Sequence, residues 1–155
     1  YGVFEKYTTS EDLVGDYGVD CENCKERQDF TRTDYILKIP QYLFLQLKRF
    51  EKAPRKINTR IELTNDVYDF REYIVGYEED SATYKLIGAV CHHGGCGGGH
   101  YIAITESLDG NWKLYNDTDV IDMNLNAALN HMSDHGYLLM LKRVTDTDYQ
   151  KIIEC

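Results

Sequence analysis

Three runs of apolar, β-branched and aromatic side chains stand out along the chain, at residues 84–92, 100–108 and 112–116, each bounded by glycine or polar turn residues. Such runs predict strands. The links between them are too short for helical crossovers, so antiparallel pairing is the economical topology. Asp109-Gly110-Asn111 has the composition of a turn closing a hairpin between the second and third. Residues 136–143, where Gly136 precedes YLLMLKR, predict a final buried strand, and 124–132 a short helix. Upstream, residues 30–39 alternate and run into Pro40. Residues 42–50 (YLFLQLKRF) are apolar on both faces and then charged, which predicts a buried central strand emerging at Lys48 and Arg49. Residues 51–55, with Pro54, read as an exposed loop before an alternating strand on Ile57, Thr59, Ile61 and Leu63. Thr9 and Ser10 before Glu11 and Asp12 have the pattern of a helix start. Gly15 and Gly18 bracket a turn leading to Cys21. An acidic stretch at 78–80 separates the two halves, and residues 145–155 form a weakly amphipathic tail.

Composition narrows the class. The 155 residues suffice for one domain with a core, and 43% hydrophobic with 28% charged residues excludes wholesale disorder and collagen-like chains. Thirteen tyrosines against two prolines favour sheet, so the expected class is α+β and mainly antiparallel β. A formal charge of -9 repels phosphate backbones and anionic membrane surfaces, which argues against nucleic-acid and membrane partners and for a basic protein partner. No segment approaches the roughly 20 consecutive apolar residues of a membrane span. Five cysteines, odd in number and clustered, point to reduced thiols or metal ligands and hence to a cytoplasmic or nuclear compartment.

The densest chemistry lies in Cys91-His92-His93-Gly94-Gly95-Cys96-Gly97-Gly98-Gly99-His100-Tyr101. A glycine run of this kind marks a loop that moves or a close approach of another backbone. It ends at His100, at the start of a strand, where a ring is held firmly enough to serve as a general base. The alternative is a surface histidine. Asn116 and Asp117 end the next strand, and hairpin pairing would bring them beside His100, where an amide or carboxylate oxygen accepts the imidazole N–H and fixes the tautomer. Alternatively they form only a turn.

Metal chemistry competes for the same segment, since Cys91, His92, His93, Cys96 and His100 are all zinc-ligand types. Adjacent strand residues point to opposite faces, and no C-x2-C pair occurs there, which disfavours four converging ligands. Cys21-x2-Cys24 has the spacing of half a zinc ribbon; two reduced surface thiols are the alternative.

In sequence order, FEKYTTSEDLVGDYGVDCENC, IPQYLFLQLKRF, GAVCHHGGCGGGHYIAI, NWKLYND and GYLLMLKR resemble blocks of the ubiquitin-specific proteases, the papain-like deubiquitinases. The resemblance covers nearly the whole chain and matches the C-terminal part of their catalytic domain. It implies fingers over 1–40, a palm with the histidine box over 41–144, and a tail over 145–155. It further implies His100 as general base, Asn116 as its orienter with Asp117 in support, and Gly98, Gly99 and Tyr101 lining a narrow channel for the Gly-Gly end of ubiquitin. Residues 51–55 and 93–99 would be loops gating that channel. Cys21 and Cys24 would hold one structural zinc, of which this chain carries half the site, with no catalytic cofactor.

One block is missing. The family's nucleophilic cysteine sits in a box of the type G-x-x-N-x-x-x-C-Y, and no such string occurs here. With Tyr1 as first residue, the expectation is a piece of a longer protease whose thumb segment carries the thiol. The expected activity is then hydrolysis of the bond after the C-terminal glycine of ubiquitin, in ubiquitinated proteins, by the complete enzyme, with this chain inactive alone. The alternatives are a pseudoprotease that binds ubiquitin without cleaving it, and an unrelated zinc-binding module.

Overall fold

The computed structural model describes residues 2–52, 55–76 and 82–144. They gather into two compact units: the first draws on the chain up to Ile39 and again from Phe70, the second on Pro40–Asp69 and on everything described after residue 81. Pro54, the acidic stretch at 78–80 and the tail at 145–155 lie outside the described residues.

The first unit begins with helix α1 (Gly2–Thr8). Thr9 and Ser10 thus follow a helix instead of starting one. The Thr8 and Thr9 hydroxyls donate to the Phe4 and Glu5 carbonyls at 3.1 and 2.7 Å, the Glu5 carbonyl also accepting from the Thr9 amide at 2.9 Å. Glu11 and Asp12 belong to strand β1 (Glu11–Leu13). A 3-10 turn, Gly15–Tyr17, starts at a positive φ of 58° on Gly15 and leads through β2 (Val19–Asp20), β3 (Arg27–Gln28) and β4 (Phe30–Arg32). β1 pairs with β4 and β2 with β3, both antiparallel. The strand expected over 30–39 therefore stops at Arg32, and Ile36 makes an isolated parallel bridge to Ile74. The Phe4 ring packs on Phe70 and Tyr73, with centroids 4.4 and 5.8 Å apart.

The second unit is built on a seven-stranded sheet from β5 (Tyr42–Gln46), β6 (Tyr68–Asp69), β7 (Thr83–Gly95), β8 (Gly98–Glu106), β9 (Trp112–Asn116), β10 (Asp119–Met123) and β11 (Gly136–Arg143). Helix α2 (Leu125–His135) precedes β11, and its N-cap Asn124 accepts from the Ala127 N–H at 2.8 Å. The order β10-β9-β8-β7-β11-β5, with β6 beside β7, is antiparallel throughout. The mainly antiparallel α+β class expected from composition is what forms. The hairpin turn at Asp109-Gly110-Asn111 also forms, with Gly110 at φ 80°.

Tyr84, Ile104, Met132 and Cys91 are fully buried in the core of this unit. Along β7 the inward parity changes between Gly88 and Ala89. A register shift against β11, where Met140 faces Gly88 and Leu141 faces Leu86, leaves Ile87 as an extra residue and turns the following side chains over.

Two expectations fail in this unit. Residues 42–46 form an edge strand, with Tyr42 and Phe44 exposed, because β11 takes the place between them and β7. Residues 57–63 form no ladder; Arg49, expected to emerge into solvent, is buried and replaces one. Its guanidinium donates to the carbonyls of Ile57 and Thr59 at 3.0 and 2.8 Å and of Gly136 at 2.6 Å. A buried fork of N–H donors can satisfy carbonyls that would otherwise need a neighbouring strand.

Candidate active site

The glycine-rich segment is strand for most of its length. β7 continues through His92, His93, Gly94 and Gly95, only Cys96 and Gly97 turn, and β8 resumes at Gly98, so His93 faces His100, Gly94 faces Gly99 and Gly95 faces Gly98. This differs from the loop expected at 93–99. The glycines are what allow the two backbones to meet there: a Cβ on Gly94 would stand 2.7 Å from the Gly98 carbonyl oxygen, and Gly94 has φ 109°.

His100 lies three residues beyond the turn of this hairpin, and Asn116 ends the neighbouring β9. Asn116 Oδ1 lies 2.6 Å from His100 Nε2, across sixteen residues of sequence. An amide oxygen only accepts, so Nε2 carries the proton and Nδ1 keeps the lone pair. Asp117 follows at φ 52°, in the turn between β9 and β10, with Oδ2 3.7 Å from the same Nε2. The structure thus brings together the three residues that the sequence singled out.

Behind them stands an aromatic cluster. The His92 ring packs against Tyr101 at 4.7 Å and edge-on against Phe50 at 5.3 Å, and Tyr137 lies 5.7 Å from Phe50 and 5.9 Å from Tyr101. His92 is buried, and burial, helped by the Lys56 charge, holds its pKa below the ordinary imidazole value. Lys56 Nζ donates to the His92 carbonyl at 2.6 Å; burial and the Arg49 charge lower its pKa in turn. Tyr101, Gly98 and Gly99 lie on the exposed part of β8, and Tyr101 remains half exposed.

Cys91 faces the core, and burial pushes its thiol up to about 12, which leaves it without thiolate character at neutral pH. Cys96 is exposed at the hairpin turn. Cys21 and Cys24 flank the tight link between β2 and β3, where the Cys21 amide donates to the Glu26 carbonyl and the Lys25 amide to the Cys21 carbonyl. The Cys24 and Asn23 amides and the Cys24 thiol point at Cys21 sulfur and lower its pKa. Two thiols on such a knuckle, one with its pKa lowered, fit half of a tetrahedral zinc site.

The sequence reading missed one grouping. His93 on β7 meets His131 and His135 on α2, their ligand atoms lying within 4.8 Å of one another. Among the candidate ligands of the glycine-rich segment, only His93 joins it. Burial and the neighbouring imidazoles hold His93 and His131 below the ordinary imidazole pKa, with Asp134 partly opposing this for His131.

A histidine and an asparagine in hydrogen-bond contact on adjacent strands thus stand beside a glycine-rich hairpin, in a mainly antiparallel sheet of the kind found in ubiquitin-specific protease catalytic domains. The sequence model of the ubiquitin carboxyl-terminal hydrolase family matches residues 16–141, and the chain belongs to that family. Its fold is that of part of a ubiquitin-specific protease catalytic domain. The Ubp8 chain of a SAGA Ubp8/Sgf11/Sus1/Sgf73 DUB module bound to ubiquitin aldehyde superposes with a TM-score of 0.75 at 30% identity, covering 92% of this chain and 33% of that one. Among curated relatives, ubiquitin carboxyl-terminal hydrolase 15 of Rattus norvegicus is 32% identical over 143 residues, 90% of this chain and 15% of that protein. Ubiquitin carboxyl-terminal hydrolase 9 of Arabidopsis thaliana is 29% identical over 157 aligned residues, 98% of this chain and 17% of its own length. The chain thus spans a minor part of the proteins it matches.

Proposed function

We propose that this chain is the histidine-bearing part of a thiol-dependent deubiquitinase, which hydrolyses the bond after the C-terminal glycine of ubiquitin with a cysteine from polypeptide outside these residues. The observation that carries this reading is the 2.6 Å contact of His100 Nε2 with Asn116 Oδ1 in a member of this family. With Nε2–H tied to Asn116, Nδ1 is the atom that takes the thiol proton. The thiolate attacks the carbonyl carbon of ubiquitin's last glycine, and the imidazolium returns the proton to the departing amine. Water then attacks the thioester with Nδ1 as base again, releasing the carboxylate and the thiol. Asp117 stands beside the pair, its Oδ2 3.7 Å from Nε2.

Gly98, Gly99 and Tyr101 line the passage for ubiquitin's Gly-Gly end, which only unsubstituted residues are thin enough to enter. In this reading residues 1–40 belong to the fingers, 41–144 to the palm and 145–155 to a tail. Cys21 and Cys24 supply two of the four ligands of a structural zinc, with no metal in the chemistry. Ubiquitin and ubiquitinated proteins are the partners, together with the thumb segment that brings the thiol, and the compartment is cytoplasmic or nuclear. No helix among the described residues is long and apolar enough to cross a membrane.

A ubiquitin probe with a C-terminal electrophile tests this. The chain alone is expected to form no adduct, and the longer protein containing the cysteine box to form one that His100→Ala suppresses. Labelling of any of the five cysteines here would sink the reading. Saturable ubiquitin binding with no labelling even in the longer protein would favour a pseudoprotease instead.

A further inference from the structure

We infer that His93, His131 and His135 form a binding site for a divalent transition metal of the zinc type. The site shares no residue with the Cys21–Cys24 knuckle or with the proposed catalytic pair, although His93 stands across the ladder from His100, and it stands whether or not the chain takes part in hydrolysis.

The placement begins with the helix. His131 and His135 are four residues apart on α2, so their rings project from one face on successive turns. The third ring comes from β7, where the antiparallel pairing sets His93 opposite His100. The three imidazoles face one another: centroids lie 5.1 Å apart for His93–His131, 4.3 Å for His93–His135 and 5.0 Å for His131–His135. The Nε2 atoms of His93 and His131 are 3.1 Å apart, and all three ligand atoms fall within 4.8 Å of one another. Tetrahedral coordination with zinc–nitrogen bonds of about 2.0–2.1 Å requires nitrogen–nitrogen separations of about 3.3 Å, so one edge is already near its bound length and the others close by ring rotation.

The helix turn that carries two of the ligands is pinned from outside. Arg60 donates to Asp134 Oδ1 at 2.6 Å, to Asn130 Oδ1 at 2.7 Å and to the Asn130 carbonyl at 3.3 Å. All three ligand residues are half-buried, which shields the site without closing it. Three imidazoles and no carboxylate select zinc, cobalt, nickel or copper over magnesium or calcium, and leave a fourth position for water. The competing arrangement is a plain N–H···N hydrogen bond between His93 and His131.

The test uses the full 155-residue chain with Cys21→Ser and Cys24→Ser, which silences the thiol pair. Zinc chloride titrated calorimetrically is expected to bind at one equivalent and to raise the melting temperature. Cobalt is expected to give ligand-field bands without thiolate charge transfer. His131→Gln and His135→Gln should each weaken zinc binding by roughly 100-fold. Melting curves in chelator establish that these variants fold. If a helix variant does not, His93→Gln on the strand decides in its place. Absence of zinc uptake at millimolar metal, uptake that survives loss of these histidines in a folded variant, or thiolate bands with cobalt would each overturn the site and leave the hydrogen bond as the cluster's only role.

Discussion

A methyl group on Gly99 would stand 2.2 Å from Nε2 of the buried His92 and 2.5 Å from the His93 carbonyl oxygen, whereas one on Gly98 would meet nothing within 4 Å. Two adjacent glycines of one motif are therefore there for different reasons. Gly99→Ala is expected to destabilise the chain by about 1–3 kcal/mol, because the ring it strikes has no room to retreat. Gly98→Ala should leave the urea midpoint unchanged, and a bulkier Gly98→Val should weaken ubiquitin binding without altering it. Equal loss of stability in both alanine variants would refute this division.

On the proposed function, the contact between His100 and Asn116 makes a kinetic prediction for a polypeptide that joins this chain to a cysteine box. Asn116→Ala frees the ring to rotate and to change tautomer, and should lower kcat for a fluorogenic ubiquitin substrate by roughly 10²–10⁴-fold. Asn116→Asp keeps an acceptor in place and should retain most of the rate. An unchanged kcat in the alanine variant would remove the orienting role.

The strands that frame this pair were legible because residues 84–92, 100–108 and 112–116 are rich in apolar, β-branched and aromatic side chains with a glycine turn between the last two, and local hairpins need little else. β10 was not: Asp119 and Asp122 interrupt DVIDM and no strand was expected there, yet it pairs along its whole length with β9. β5 misled in the opposite direction. Tyr42 and Phe44 read as core, but they lie exposed on an edge, and an aromatic residue on an outer face is indistinguishable in sequence from a buried one. The alternation of Ile57, Thr59, Ile61 and Leu63 suggested a ladder, but the Ile57 and Thr59 carbonyls are taken up by Arg49, whose guanidinium is held at the same time by Gly136, 87 residues away. His131 and His135 stayed invisible as partners of His93 because 38 residues separate the nearer of them from it.

Thiol chemistry separates the cysteines by burial. Burial pushes the Cys91 thiol up to about 12, well above an ordinary cysteine, so little of it is thiolate at pH 8.5. A raised thiol pKa means the charged form gains only as pH climbs toward that value, so iodoacetamide at pH 8.5 should modify Cys21, Cys24 and Cys96 while sparing Cys91 until the chain is denatured. Cys21, whose pKa is lowered, should react at the lowest pH. Modification of Cys91 in the native chain at a rate matching Cys96 would contradict the buried placement.

Arg49 holds three backbone carbonyls from two separate segments. Arg49→Ala strands those acceptors in a buried setting and should cost about 3 kcal/mol or more. Arg49→Lys restores charge but lacks the planar fork, so it should recover only part of the loss. Urea unfolding of the two variants checks this, and a lysine variant as stable as the parent would show that charge alone suffices.

The edge position of β5 also sets a timetable for assembly. Strands β7 to β10 meet through short turns, but β5 reaches β11 only by closing a span of about a hundred residues, as the Gln41–Arg143 contact at a separation of 102 illustrates. Closing so long a loop is entropically slow, and the meander can form without it. β5 should therefore dock last and detach first, its amides exchanging with solvent well before those of β8; matching protection of the two strands would rule this order out.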